Sequence, residues 1–409
     1  MSKQIINPHL LVKAQEILNQ NFNTKVEIES VELLSESERR NIVIRLVLNN
    51  SLTKVPRNLI LKQALAEPSN LDDQEAFARF ARDWAGLEFA SRIPQSTHNV
   101  PRFYGGNKEL RFILIEDLGQ QHKSLVDSLT YPQPDKAILA LERFMKALGS
   151  FHAASYGHTS LYESILQDIH QDRQSPQKEL DYLVNELINS FQTTLATLNL
   201  TATKECITEI QSLIESLLKP GPFTVLTHGD ICPDNVFDHE DSKDLQLIDF
   251  EWAFVRNALL DGTYLRMSMP TCWCAKAIPA QLIDPLEQIY REELKRSIPA
   301  AHDDLAYNKA YTEACGFWIL QWAIAHIDSI LLHDRIGPSG PVPKDSLWNS
   351  DENLVRPRVL SRLQTFIEQS SKNKLLPHLR QTSEQLLIEL KKRWPRADLL
   401  EYYPAFMSE

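Results

Sequence analysis

Glycine is scarce in this chain, at 12 of 409 residues, while proline is common at 22. That balance excludes a collagen-like or low-complexity chain. Cysteine is also sparse and odd in number: Cys206, Cys232, Cys272, Cys274 and Cys315. At that density no disulfide framework is expected, and a reducing cytoplasm is the natural setting. Cys272 and Cys274 form a C-x-C pair, but no second pair accompanies it, which counts against a zinc site. An excess of basic residues is missing too. The formal net charge is −11, which argues against non-specific nucleic-acid binding, a process that relies on neutralising phosphates. Acidity keeps a chain soluble and fits weakly with a cationic small substrate. No run is long and apolar enough for a membrane span; the most apolar stretch, residues 314–327, is too short and contains Gln321 and His326. The first residues lack the apolar core of a signal peptide. No internal repeat is present.

What is there reads as an ordinary globular protein, with 43% hydrophobic and 24% charged residues. Residues 8–22 place Leu10, Leu11, Ala14, Ile17 and Leu18 on one helical face. β-Branched runs at 26–33, 41–48 and 58–62 predict strands, with a hairpin across 49–57. Residues 72–93 predict a helix packed through Phe77, Phe80, Trp84, Leu87 and Ala90, and two short strands follow at 102–104 and 111–115. After Gly119 the pattern turns helical, apart from a strand-rich island at 223–253 and a Gly/Pro stretch at 337–341. The expected fold class is α/β in the α+β sense: a bilobal molecule with a small antiparallel-sheet lobe, residues 1–118, and a larger, mainly helical lobe, residues 119–409.

The segment with most chemical content is Thr227-His228-Gly229-Asp230-Ile231-Cys232-Pro233-Asp234-Asn235. It follows an apolar run and precedes a hairpin pattern whose second strand ends in Asp249-Phe250-Glu251. Phosphoryl transfer requires a carboxylate near the acceptor hydroxyl and oxygen ligands that hold Mg²⁺ against the phosphates. A D-x-x-x-x-N loop offers the carboxylate and one ligand, and an aspartate returning from a hairpin offers another. Asp230, Asn235 and Asp249 have that spacing.

These residues resemble the catalytic loop of the aminoglycoside phosphotransferase family, and the run from Ile248 to Ala253 is similar to choline and ethanolamine kinases of the same superfamily. The resemblance covers roughly residues 31–265. It implies a protein-kinase-like fold and an ATP-dependent kinase acting on a small hydroxyl-bearing molecule. Asp230 would be the catalytic base, with Asn235 and Asp249 binding Mg²⁺. Glu251 would help the metal through water, and His228 would support the loop. Such a fold places a lysine on its third strand, paired with a helix glutamate. Lys62 ends the run Leu59-Ile60-Leu61, and Glu88 is preferred to Glu75 as its partner because apolar residues flank it. Backbone groups of Glu116, Asp117 and Leu118 would bond the adenine edge. His152 and Asp261 read as structural support.

One stretch departs from the pattern. The phosphate-covering loop should lie at 35–41, yet it contains no glycine, and glycine is what lets backbone amides approach phosphate. Ser35, Ser37, Arg39 or Arg40 would have to make those contacts. Trp252, Trp273, Trp318 and Trp322 either line an acceptor pocket or pack the core; the four-residue spacing of Trp318 and Trp322 favours packing. A nucleotide-binding protein without transfer activity is the rival reading. The acceptor and the oligomeric state are not legible in the sequence.

Overall fold

The computed structural model describes residues 7–35, 40–49, 55–94, 99–171, 173, 176–241, 244–338, 340 and 342–407. In chain order the elements begin α1 (Pro8–Phe22), β1 (Glu27–Leu33), β2 (Asn41–Asn49), β3 (Asn58–Ala64), α2 (Asn70–Arg92), β4 (Phe103–Asn107) and β5 (Phe112–Glu116). Helices α3 (Leu125–Thr130), α4 (Pro134–Ser155), α5 (Thr159–Ile169), α6 (Pro176–Thr197) and α7 (Lys204–Leu218) follow. Then come β6 (Thr224–Thr227), β7 (Val236–His239), β8 (Asp244–Leu247), β9 (Phe254–Asn257) and α8 (Leu259–Gly262). The chain finishes with α9 (Ala280–Lys295), α10 (Asp304–Trp322), α11 (Val355–Asn373) and α12 (Pro377–Arg393). Two units result. The first is Met1–His122 with Ser160–Arg173 and Ile248–Ala253; the second is Lys123–Thr159, Gln174–Leu247 and Phe254–Glu409.

The first unit is built on one antiparallel sheet in the order β1-β2-β3-β5-β4. Strand residues alternate between faces, so Ile44, Leu46, Leu48, Leu59 and Leu61 turn together into a core that α1 closes with Leu10, Ala14 and Leu18. The same alternation puts Lys62 on the other face, in register between Val43 of β2 and Ile113 of β5. Helix α1 starts at Asn7, whose side chain accepts the His9 amide, and stops at Asn23 in a left-handed conformation. Helix α2 starts at Ser69, whose hydroxyl accepts the Asp72 amide. The returning segment 248–253 belongs to this unit and forms a 3-10 turn, Phe250–Trp252, against α2. Gly86 permits that approach, since a Cβ there would stand 2.7 Å from Phe250 Cβ.

The second unit is helical around two short antiparallel pairs, β6–β9 and β7–β8. Helix α4 packs along α9, and α10 lies among α7, α8 and α11. Trp318 of α10 is buried and donates its indole N–H to the Leu260 carbonyl at 2.9 Å, so it belongs to the core. Among the described residues no helix is long and apolar enough to cross a membrane.

Candidate active site

In the first unit, Lys62 is gripped from two sides. Its Nζ lies 2.8 Å from Asp83 Oδ2 on α2 and 2.6 Å from Asp249 Oδ1. Asp83 also accepts the Phe250 amide at 2.8 Å, so one buried carboxylate ties strand, helix and returning turn together. Burial acts to lower the Lys62 pKa, but the charges of Asp249 and Asp83 outweigh it and the net shift is upward. The lysine is therefore a permanent cation. Asp83 is pushed up by burial and by Asp249, with Lys62 opposing. Asp249 itself has φ of 69°, a conformation uncommon outside glycine and frequent where a functional side chain is aimed.

Glu251, two residues on, lies 3.5 Å from Arg40 and 3.9 Å from Arg79. Burial raises its pKa, helped by Asp249 and opposed by Lys62 and Arg40. A cavity of about 20 Å³ is lined here by Lys62, Asp83, Arg40, Arg79 and Glu251, room for about one water molecule.

The expected partner of Lys62 is thus corrected. Glu88 accepts instead from Trp84 Nε1 at 2.7 Å and from Arg92 at 2.9 Å. The reason is helical phase. Ala76, Phe80, Asp83, Leu87 and Ala90 are all buried at spacings of four and three, which is one face of a helix. Glu88 lies five residues past Asp83, about 140° round at 3.6 residues per turn. A charged residue inside an otherwise apolar stripe was the legible signal for Asp83.

Of the residues expected at an adenine edge, Glu116 ends β5 and its amide already donates to the Arg102 carbonyl at 2.9 Å. Asp117 pairs with the buried Arg45 at 2.6 Å and accepts the Gly119 amide at 2.9 Å. Leu118 is half-buried beside it. In the glycine-free stretch, Ser35 Oγ accepts the Val43 amide at 3.2 Å; Ser37 and Arg39 lie outside the described residues.

In the second unit, the loop between β6 and β7 carries Asp230 and Asn235. Asp261 braces its start: one carboxylate oxygen accepts the His228 amide at 2.6 Å, and both lie within 3.3–3.4 Å of the Gly229 amide. His152 Nε2 stands 3.3 Å from the same carboxylate. Burial opposes ionisation of Asp261, yet the His152 hydrogen bond, with the charges of His152, Arg256 and His228, holds its pKa below the ordinary value. Gly229 has φ of 81°, which a residue without Cβ adopts at little cost, and its carbonyl accepts from Tyr264 at 2.9 Å. Asn235 donates its amide nitrogen to the Asp230 carbonyl at 2.8 Å, which turns its side-chain oxygen the other way.

Two features here had no signal in the sequence. Thr271 donates its hydroxyl to Asp230 Oδ1 at 2.5 Å. Cys232 and Cys272 are joined in a disulfide with Cα atoms 5.4 Å apart and a separation of 40 positions in sequence. One bridge is not the framework whose absence was expected, but it was not foreseen: parity and density are blind to a single local bridge. Trp273 donates to Asp234 at 2.9 Å and meets Trp348 edge-on at 5.8 Å.

A sheet lysine clamped by a helix carboxylate and a returning aspartate, with a separate H-G-D loop ending on asparagine, defines a kinase-like protein. A model of the ecdysteroid kinase-like family matches residues 75–301, more than half of the chain, and the protein belongs to that family. No curated protein sequence matches it. Among solved structures, an ethanolamine kinase from Plasmodium vivax is 12% identical with a TM-score of 0.44, over 93% of each chain. The choline kinase LicA from Streptococcus pneumoniae is 11% identical with a TM-score of 0.40, over 87% of this chain and 99% of its own. A type I macrolide 2′-phosphotransferase is 13% identical with a TM-score of 0.37, over 80% of this chain and 94% of its own.

Proposed function

We propose that the protein is a cytoplasmic small-molecule kinase that transfers the γ-phosphate of ATP to a hydroxyl group. The observation that carries this reading is Lys62 held at 2.8 Å and 2.6 Å between Asp83 and Asp249. A fixed cation on a sheet suits the α- and β-phosphates, and the backbone at 116–118 suits the adenine edge. Asn235 and Asp249 offer the oxygen donors that Mg²⁺ prefers, and such a site needs only one or two protein ligands beside the phosphates. When bound, that ion would neutralise charge developing on the phosphates. Asp230 takes the proton of the acceptor hydroxyl. Thr271, bonded to one of its oxygens, fixes the carboxylate's rotation so that the other can meet the acceptor.

The acceptor is a small hydroxyl-bearing molecule rather than nucleic acid, given the chain's net charge of −11. A second reading, nucleotide binding without transfer, is favoured by one feature: the stretch 35–41 has no glycine. ATP consumption across a library of hydroxylated metabolites, aminoglycosides included, separates the two. Transfer requires at least one acceptor to raise wild-type turnover above that of Asp230→Ala. If none does, the non-transferring reading stands.

A further inference from the structure

Cys232 lies two residues after Asp230, and Cys272 directly follows Thr271, the residue bonded to Asp230. The bridge between them therefore joins the two segments whose relative position sets the Asp230 carboxylate. The segments are anchored by different groups. Around Cys272, Arg358 donates to the carbonyls of Cys272 at 3.0 Å and Trp273 at 2.7 Å, and Arg362 donates to the Met267 carbonyl at 3.1 Å. Asn353 adds a bond to the Trp273 carbonyl at 3.0 Å. Around Cys232 the loop makes internal bonds, Cys232 N to Asp230 O at 2.8 Å and Asn235 N to Cys232 O at 2.9 Å, and is tied outward by Leu125 N to Pro233 O at 2.9 Å, by Trp273 Nε1 to Asp234 at 2.9 Å and by Asp261 at its start. Cys232 Sγ also lies 3.1 Å from Asp230 Oδ1. The other cysteines, Cys206, Cys274 and Cys315, are buried free thiols.

We infer that the Cys232–Cys272 bridge is a redox-sensitive tie that orders the Asp230 loop against the rigid 267–274 segment. Its consequence for phosphotransfer rests on the reading of Asp230 as the acceptor base. A small dithiol opens it: a thiolate attacks one bridge sulfur, a mixed disulfide forms, and the second thiol closes on the first. Two electrons and two protons pass to Cys232 and Cys272, which become thiols, and the dithiol leaves as a cyclic disulfide. Once opened, the loop loses its covalent anchor, and the Cys232 thiol competes with Thr271 for Asp230 Oδ1.

The test uses the full chain equilibrated in mixtures of reduced and oxidised dithiothreitol. Differential alkylation read by mass spectrometry reports the bridge, and hydrogen exchange of peptides from 228–236 and 267–274 reports order. Reduction should speed exchange several-fold in 228–236 while 267–274 stays protected. Cys272→Ser should match reduced wild type in both buffers. Free alkylation of Cys232 and Cys272 under oxidising conditions, or identical exchange in 228–236 in both states, overturns the inference. With an acceptor in hand, kcat should fall several-fold on reduction in wild type and not in Cys272→Ser; equal kcat in both wild-type states contradicts the coupling to transfer. Absence of turnover in either state counts against the kinase reading alone, because bridge and exchange are measured without ATP.

Discussion

Lys62 concentrates the electrostatics of the first unit. Its side chain is 17% exposed and that of Asp83 only 5%, so neither charge is screened well by water. Removing Lys62 leaves the buried Asp83 carboxylate without its cation, at a cost of about 3–5 kcal/mol. Lys62→Met should therefore destabilise the protein by about that amount, read as a lowered urea midpoint. The double variant Lys62→Met/Asp83→Leu should recover most of the loss, because it removes both charges together. If the double variant were as unstable as the sum of the single ones, the pair would not be coupled as its geometry requires. Thr271 is open to a similar comparison. Thr271→Val removes the hydroxyl bonded to Asp230 and should lower kcat about tenfold or more, within the range expected when a reactive group loses its alignment. Thr271→Ser should restore kcat.

At the scale of elements, the loop between β6 and β7 depends on a carboxylate outside it. Asp261 collects the amides of His228 and Gly229 and is buried. Hydrogen bonds to a charged acceptor contribute about 1.5–3 kcal/mol, so Asp261→Asn should lower stability at neutral pH by about that amount. The pH dependence has a definite sign. Because the folded pKa of Asp261 is lowered, its contribution is complete above the unfolded value of about 3.9 and vanishes as pH falls through the folded one. Acid unfolding of Asp261→Asn should therefore be less steep than that of wild type. A parallel acid limb would show that Asp261 is not the linked group. Gly229→Ala at φ of 81° should destabilise the same loop, as for any non-glycine residue forced into that region.

Elements also show what was legible in the sequence. Helix α1 was readable residue by residue because Leu10, Ala14 and Leu18 recur every four positions and its caps are local. The strands around Lys62 were readable because β-branched runs announce a half-buried sheet. β9 was not: Phe254-Val255-Arg256-Asn257 is four residues long, too short for an alternation to register. Asp83 and Glu88 were separated by helical phase, and flanking apolar residues alone favoured the wrong one. Asp230, Asn235 and Asp249 stood out only as a spaced set. Thr271 and the cysteine bridge arise from segments distant in sequence meeting in the fold, and single-residue chemistry carries no mark of that.

For the whole molecule, the family match over residues 75–301 covers Asp83, the Asp230 loop and Asp249, while Lys62 lies outside it. The proposal that Lys62 and Asp249 serve one magnesium nucleotide makes a global demand. A ligand that binds only the folded chain stabilises it, by about 2.7 kcal/mol at one hundred times its Kd. The most direct measurement is a calorimetric titration of ATP into wild type and Asp249→Asn, each with Mg²⁺ and with EDTA. Wild type should bind ATP with Mg²⁺ at least tenfold more tightly than with EDTA, and Asp249→Asn should lose that difference. No ATP binding by wild type, or an equal magnesium effect in the variant, would contradict the proposed role of the Lys62–Asp249 centre.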